Sequence, residues 1–338
     1  MGGPATPLVR TREIGTTSVG AKERHLVLGG AGFVGRHVAL ALAARGVEVI
    51  LASRRPPPEP ERFDPQNVRL ETVDLTACDW PALIADVDVI HHYAWASIPQ
   101  TAALNPIWDV DTHIRTAINL LETAARLGGK RVLFVSSGGT VYGRHQDQRS
   151  TEDSPTRPLS IYGATKLAVE NYMRPYHDSG AVDCRIARLS NPYGVGQNLD
   201  RNQGLVSTFV ARALRGEPLT VWGDGSVVRD YIHISDATDA LVALSTQALP
   251  DLTDLPVFNV ASGVGASINE VISVIEDVLD RTLDVSRLPG RGIDIPVSVL
   301  CVDKARRHLG WAPRYSLGQG VAAMIDQLKA GETSYSRP

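Results

Sequence analysis

The chain has 338 residues, 43% of them apolar, and a formal net charge of −3, which gives room for a sizeable core in one large α/β unit or two lobes. Its Lys and Arg are scattered rather than gathered in a stripe, and no apolar run reaches membrane-spanning length, so neither nucleic acid nor a membrane is an expected partner. Three widely spaced cysteines, Cys78, Cys184 and Cys301, exclude a disulfide framework and a structural zinc, and point to a reducing, cytoplasmic setting.

Residues 1–22 mix Gly, Pro, Thr and Arg without an apolar run, and read as a disordered extension. "HLVLG" (His25 to Gly29) reads as a strand, and "RHVALALAARG" carries apolar positions at helical spacing until Gly46 ends it. "VEVILAS", Val68 to Leu75 and Val87 to Ala94 follow as further strands with helical segments between them. A helix from about Ile107 to Leu127 leads into a strand at Arg131 to Ser137. Strands alternating with helices predict a parallel sheet covered on both faces. Beyond Tyr162 a helix runs to about Asp178 and "CRIARLSN" returns to strand character. After Asn191 the pattern loosens, with helices at Gly204 to Arg215 and Asn269 to Asp280.

Gly29, Gly32 and Gly35 stand in the spacing G-x-x-G-x-x-G between the first strand and the first helix. Such glycines allow a tight turn, let a pyrophosphate approach the backbone and let helix and strand pack closely, while the helix N-terminus offers N–H groups to an anion. That context predicts an α/β, Rossmann-type doubly wound sheet that binds a dinucleotide over residues 23–190. Some later strands are expected to rejoin it, and a smaller C-terminal lobe over 191–338 is expected to hold the substrate. A dinucleotide site usually presents an acid to the ribose hydroxyls at the end of the second strand. Here that position holds Ser53, followed by Arg54 and Arg55. A carboxylate would repel a 2′-phosphate, whereas a guanidinium binds one through two charge-assisted bonds, so the residues favour NADP(H), with NAD as the alternative. Asp74 and Leu75, ending the third strand, would lie beside the adenine.

Tyr162 and Lys166 form Tyr-x-x-x-Lys at the opening of a helix, one turn apart on one face. A phenol with a pKa near 10 is a poor base at neutral pH, and an ammonium beside it favours the phenolate. The pair suits proton exchange with a sugar hydroxyl coupled to hydride transfer. His91 and His92 are adjacent on a strand and point to opposite faces, and the other histidines are dispersed, so no metal site is expected.

With these motifs in place, the chain resembles the extended short-chain dehydrogenase/reductases that act on nucleotide sugars, near the UDP-glucose 4-epimerases. The resemblance runs from about Arg24 to Ile325 through "GGAGFVG", "VIHHYAW", "FVSSGGTVYG", "RPLSIYGATKLAVENY", "LSNPYGVGQ", "PLTVWGDGSVVRDYIHISD", "GRGIDIPVSVLCVDKARRHLGW" and "SLGQGV". It implies that Tyr162 is the general acid/base and that Lys166 lowers its pKa and holds the nicotinamide ribose. It also implies cofactor contacts from Phe33, Val34, Tyr93 and Ala94. Relatives often carry a Ser or Thr four residues before the tyrosine of "VYG"; here that position is Gly138, which leaves Ser137, or else Thr140, to bond the reacting sugar oxygen. Ser136 is then a structural hydroxyl, and His113, where an Asn is common, a packing histidine. On the substrate side the resemblance implies Asn191, Arg229 and Arg291 around the diphosphate, Asp294 near the nucleotide ribose and Trp222 against the base. A homodimer formed through the helices flanking the sheet is also implied.

Two enzymes fit these residues. One is an NADPH-dependent 4-ketoreductase of a UDP- or dTDP-linked 4-keto-6-deoxyhexose, favoured by Ser53-Arg54-Arg55; the other is an NAD-retaining 4-epimerase, favoured by the long motif matches. "SGGT" lacks the Asp-Glu pair of the dehydratases, and a non-catalytic NADP(H)-sensing protein is disfavoured by the intact Tyr162/Lys166 pair.

Overall fold

A computed structural model describes residues 23–144, 149–198, 204–249, 253–290 and 295–331. The N-terminal extension expected over 1–22 lies outside the described residues, as do Arg291 and Asp294.

The first half alternates strand and helix. β1 (Arg24–Leu28) leads into α1 (Phe33–Ala43), β2 (Glu48–Ser53), β3 (Val68–Thr72), α2 (Trp80–Ile84) and β4 (Val89–His92). Then come α3 (Pro99–Leu104), α4 (Pro106–Leu127), β5 (Arg131–Ser137), the short α5 (Gly138–Val141), α6 (Ile161–Asp178) and β6 (Asp183–Leu189). Caps explain several boundaries. Asn105 accepts from the Trp108 N–H at the start of α4, and Ser160 from the Gly163 N–H at the start of α6. Gly128, with φ +72°, ends α4.

The second half continues with β7 (Asn191–Tyr193), α7 (Leu205–Arg215), β8 (Leu219–Trp222), β9 (Val228–His233), α8 (Ile234–Thr246) and β10 (Val257–Val260). It ends with β11 (Gly265–Ser267), α9 (Ile268–Leu279), β12 (Val285–Leu288), β13 (Val297–Ser298), α10 (Asp303–Leu309) and α11 (Leu317–Lys329).

The main sheet has seven strands in the order β10-β6-β5-β4-β1-β2-β3, and each neighbouring pair is parallel. It is a doubly wound, Rossmann-type sheet. Because β1 lies between β2 and β4, the chain reverses direction across the sheet at that point and opens a crevice beyond the strand ends. Val27, Leu51, Leu133 and Ala187 pack with Val38 and Leu42 of α1 and Leu241 of α8 on one face. On the other face, Leu26, Ile50, Ile90, Phe134 and Ile186 pack with Leu120 of α4 and Val169 of α6. The strands are therefore apolar on both faces, as a covered parallel sheet requires. β10 pairs beside β6, so residues beyond 190 return to the main sheet. A third core, around Val206, Phe209, Val221, Ile275 and Met324, belongs to the C-terminal lobe. No helix among the described residues is long and apolar enough to cross a membrane.

Candidate active site

The ends of β1 to β6 surround a cavity of about 1020 Å³. Its floor begins at the glycine turn. Gly29 adopts φ +81°, and a Cβ there would lie 2.7 Å from Ala94 Cα and N. A Cβ on Gly32 would sit 3.0 Å, and one on Gly35 2.5 Å, from the Gly29 carbonyl oxygen. The turn is thus closed to side chains, and no side chain caps the start of α1. An open helix N-terminus with bare backbone at its mouth fits a dinucleotide pyrophosphate. Along the same wall lie Phe33, Val34, Ser53, Arg54, Arg55, Asp74, Leu75, Tyr93 and Ala94. The Ser53 hydroxyl donates to the Arg55 carbonyl and shapes the turn that carries both arginines. Thr76 donates to Asp74 through its hydroxyl and its N–H, which holds that carboxyl below its ordinary range.

At the other end of the cavity α6 presents Tyr162 and Lys166. Burial, with Asp109 adding, pushes the Tyr162 phenol above its ordinary range. Burial pulls the Lys166 ammonium well below its own, against opposing pulls from Glu170 and Asp109. Lys166 Nζ donates to the Val135 carbonyl at 2.8 Å and lies 3.6 Å from the centre of the Trp95 ring. The strand end opposite is fixed from beneath: Ser136 donates to Glu170, and Glu170 is paired with Arg188 at 2.7 Å. Arg188 in turn donates to the Tyr142 hydroxyl at 3.0 Å, and Tyr142 donates to Asn259 at 2.7 Å.

Ser137, Thr140 and Asn191 all lie on the cavity wall. Thr140 donates to the Ser137 carbonyl at 3.5 Å, Asn191 donates to the Asp230 carbonyl at 2.9 Å, and Ser136 is committed to Glu170. The Ser137 hydroxyl has no hydrogen-bond partner among the described residues and caps nothing. A Cβ at 138 would lie 2.3 Å from Leu300 Cδ1 and 3.0 Å from the Arg188 carbonyl oxygen, so a side chain there would require Leu300 to shift.

Trp222 and Arg229 do not line this cavity. Trp222 ends β8 in the C-terminal lobe and is 44% exposed. Arg229 turns its guanidinium to the carbonyls of Val228 and Ile295, at 2.8 and 2.7 Å. Trp222 pairs in register with Leu288; Arg291 and Asp294 are outside the described residues. No group of three His, Cys, Asp or Glu side chains among the described residues could hold a metal ion.

Sequence reasoning missed a buried cluster behind Lys166. Trp95 stacks on His113 with ring centres 4.0 Å apart and planes at 8°. Its Nε1 donates to Ser97 Oγ at 3.1 Å, and Ser97 donates to Asp109 Oδ1 at 2.5 Å. Thr165 donates to Asp109 Oδ2 at 2.6 Å. Ala96 N–H donates to His113 Nε2 at 3.0 Å, so that nitrogen keeps its lone pair and Nδ1 carries the proton toward Asp109. His113 packs, as the sequence suggested, and burial keeps it neutral by lowering its pKa. A legible signal existed: Asp109, His113 and Thr116 recur at helical spacing on the face of α4 that also buries Leu120.

The chain matches the family model described as the NAD dependent epimerase/dehydratase family over residues 25–261. It is 30% identical over 309 residues to the UDP-glucose 4-epimerase of Mycolicibacterium smegmatis, a match that spans 90% of this chain and 97% of that one. Among solved structures it is similar to the UDP-glucose 4-epimerase of Thermotoga maritima with UDP-glucose. There the TM-score is 0.84 at 27% identity, covering 91% of this chain and 99% of that one. It is similar also to the Thermus thermophilus UDP-glucose 4-epimerase in complex with NAD, with a TM-score of 0.82 at 29% identity and coverage of 90% and 99%. The glycine turn, the Tyr162/Lys166 helix and these matches agree, and the chain belongs to the NAD-dependent epimerase/dehydratase family.

Proposed function

We propose that this protein is an NADPH-dependent 4-ketoreductase acting on a nucleotide-diphosphate 4-keto-6-deoxyhexose. The observation that carries this reading is the wall at the end of β2, where Ser53, Arg54 and Arg55 face the cavity and no carboxylate stands at the strand end. Two guanidiniums there suit a 2′-phosphate and an exchanging cofactor. When bound, the cofactor supplies the hydride that reduces C4. Tyr162, kept as a phenol by burial, gives its proton to the C4 oxygen, and the free Ser137 hydroxyl donates a hydrogen bond to the same oxygen. Lys166 offsets the charge left on Tyr162. Asn191, with Arg229, Arg291 and Asp294 beyond it, is assigned to the diphosphate and ribose, and Trp222 to a uracil or thymine base.

A second reading is the NAD-retaining 4-epimerase, favoured by relatives of that name, one of them bound to NAD. In it Tyr162 first takes the C4 proton and later returns it. Either reading takes the enzyme as a cytoplasmic homodimer, supported by free Cys78, Cys184 and Cys301 and by exposed Ile107, Trp108 and Tyr172 on α4 and α6. Denaturing the purified protein and identifying the released nucleotide by mass spectrometry separates the two. A site that loses its cofactor on purification and then binds NADPH in preference to NADH supports the reductase. Stoichiometric NAD, with interconversion of UDP-glucose and UDP-galactose without added reductant, overturns it.

A further inference from the structure

We propose that Trp95 is a positioning residue for the C4 chemistry: its indole, backed by His113, holds the Lys166 ammonium in place beside Tyr162 and keeps it charged. This inference rests on the Tyr162/Lys166 reading and deepens it.

The geometry is a three-layer stack. Lys166 Nζ lies 3.6 Å from the Trp95 ring centre, and the His113 ring lies 4.0 Å from the same centre in a parallel plane. Two groups that close to one centroid need opposite faces of the indole. The other edge of the indole is pinned through Nε1 to Ser97 and onward to Asp109, so the ring cannot rotate without breaking a buried chain of hydrogen bonds. Tyr162 meets the indole edge-on, with ring centres 6.0 Å apart and planes at 75°. Trp95 thus touches both residues of the catalytic pair while reaching the cavity itself.

A lysine only 3% exposed loses its hydration and tends to shed its proton. The groups around it set the balance. On its own helix are Tyr162 and Glu170, the latter paired with Arg188. From α4 come Asp109 and His113, and from β4 comes His92, each acting through its field. Only the Val135 carbonyl meets the ammonium by a hydrogen bond among the described residues, at 2.8 Å, while the Phe134 ring centre lies farther off at 4.8 Å. The Trp95 face is therefore the nearest aromatic replacement for lost water, and desolvated contacts of this kind are the strong ones. A neutral His113 suits the opposite face, because a cation there would draw on the same ring electrons. The Ala96 N–H on Nε2 enforces that neutrality.

The test reads the protonation of Lys166 directly and does not require knowing the sugar. Trace acetylation with acetic anhydride across a pH series, followed by peptide mass spectrometry, gives the pH midpoint at which the Lys166 amine becomes reactive. The variants are Trp95→Leu and Trp95→Phe, with circular dichroism confirming the fold. The proposal expects Trp95→Leu to move the midpoint down by about one pH unit, and Trp95→Phe to recover most of that shift. An unmoved midpoint in Trp95→Leu, or equal shifts in both variants, would overturn it, since the aromatic face would then be irrelevant. A parallel assay with Tyr162→Phe on nucleotide sugars separates the two levels. Turnover indifferent to Tyr162 defeats the C4 reading, whereas Tyr162-dependent turnover with an unmoved Lys166 midpoint defeats only the role of Trp95.

Discussion

Burial works toward the neutral form of both Tyr162 and Lys166, because both have left water. A phenol held neutral is a ready proton donor, which suits reduction, and its conjugate base needs the neighbouring ammonium to be tolerated. Tyr162→Phe removes the transferable proton while keeping the ring against Trp95. It should cut kcat by about 10²- to 10⁴-fold with little change in cofactor affinity, as read by steady-state kinetics beside a cofactor titration; an unchanged kcat would contradict the assignment. Arg54→Ala and Arg55→Ala act at the far end of the cavity. Their combination should weaken NADPH binding by at least about 10-fold, the scale of a charge-assisted hydrogen bond to an ion, while NADH binding stays within a factor of about two. Equal losses for both cofactors would show that the arginines are not reading a phosphate. The glycines and the Tyr162/Lys166 pair were legible in the sequence because their spacing lies within one turn or one helix. Trp95, Ser97, Asp109 and Thr165 were not, since their partnership exists only once α4, α6 and the end of β4 have packed.

The elements owe their precision to close backbone contacts and buried polar ties. Gly35 lets α1 lie against the first turn: a Cβ there would stand 2.5 Å from the Gly29 oxygen and 2.9 Å from Gly30 Cα, both backbone atoms. Neither can move without shifting the glycine turn. Gly35→Ala should destabilise the fold by about 1–3 kcal/mol, the usual cost of overpacking, and weaken binding of either nicotinamide cofactor. Thermal unfolding with and without NADPH checks this, and a wild-type midpoint with full ligand-induced stabilisation would contradict it. The tie from Ser136 through Glu170 and Arg188 to Tyr142 explains how β5, α6 and β6 hold the Ser137 strand end opposite Tyr162. Helix and strand identities in the first half were readable from periodicity. The return of β10 to the main sheet was foreseen only in kind, because a four-residue strand carries no mark of which edge it will join.

At the scale of the molecule, several buried or half-buried histidines are held in neutral form. Burial holds His37 down at about 4, and burial with Lys166 and His113 holds His92 at about 3. Burial also lowers His25 and His91, whose rings meet at 2.9 Å in a chain that ends on the Tyr93 hydroxyl at 2.8 Å. An unfolded histidine binds a proton near pH 6.5. Below that pH the unfolded chain takes up protons that the folded one refuses, so stability is full above about 6.5 and falls as the pH drops toward 4. Each such group contributes a slope of up to about 1.4 kcal/mol per pH unit inside that window. Urea unfolding at pH 7.5, 6.5, 5.5 and 5.0 should show a flat region and then a steady loss; a constant midpoint to pH 5 would contradict it. No pattern in the sequence announced this, because each histidine loses its water only once neighbouring elements pack over it.

C4 reduction by Tyr162, with a cofactor chosen by Arg54 and Arg55, is read by following absorbance at 340 nm. The enzyme and NADPH are mixed with dTDP-4-keto-6-deoxyglucose, and the sugar product is identified by mass spectrometry. The account predicts stoichiometric NADPH oxidation and a product two hydrogens heavier, faster with NADPH than with NADH and abolished by Tyr162→Phe. No oxidation of either cofactor, alongside redox-neutral conversion of UDP-glucose to UDP-galactose, would contradict it.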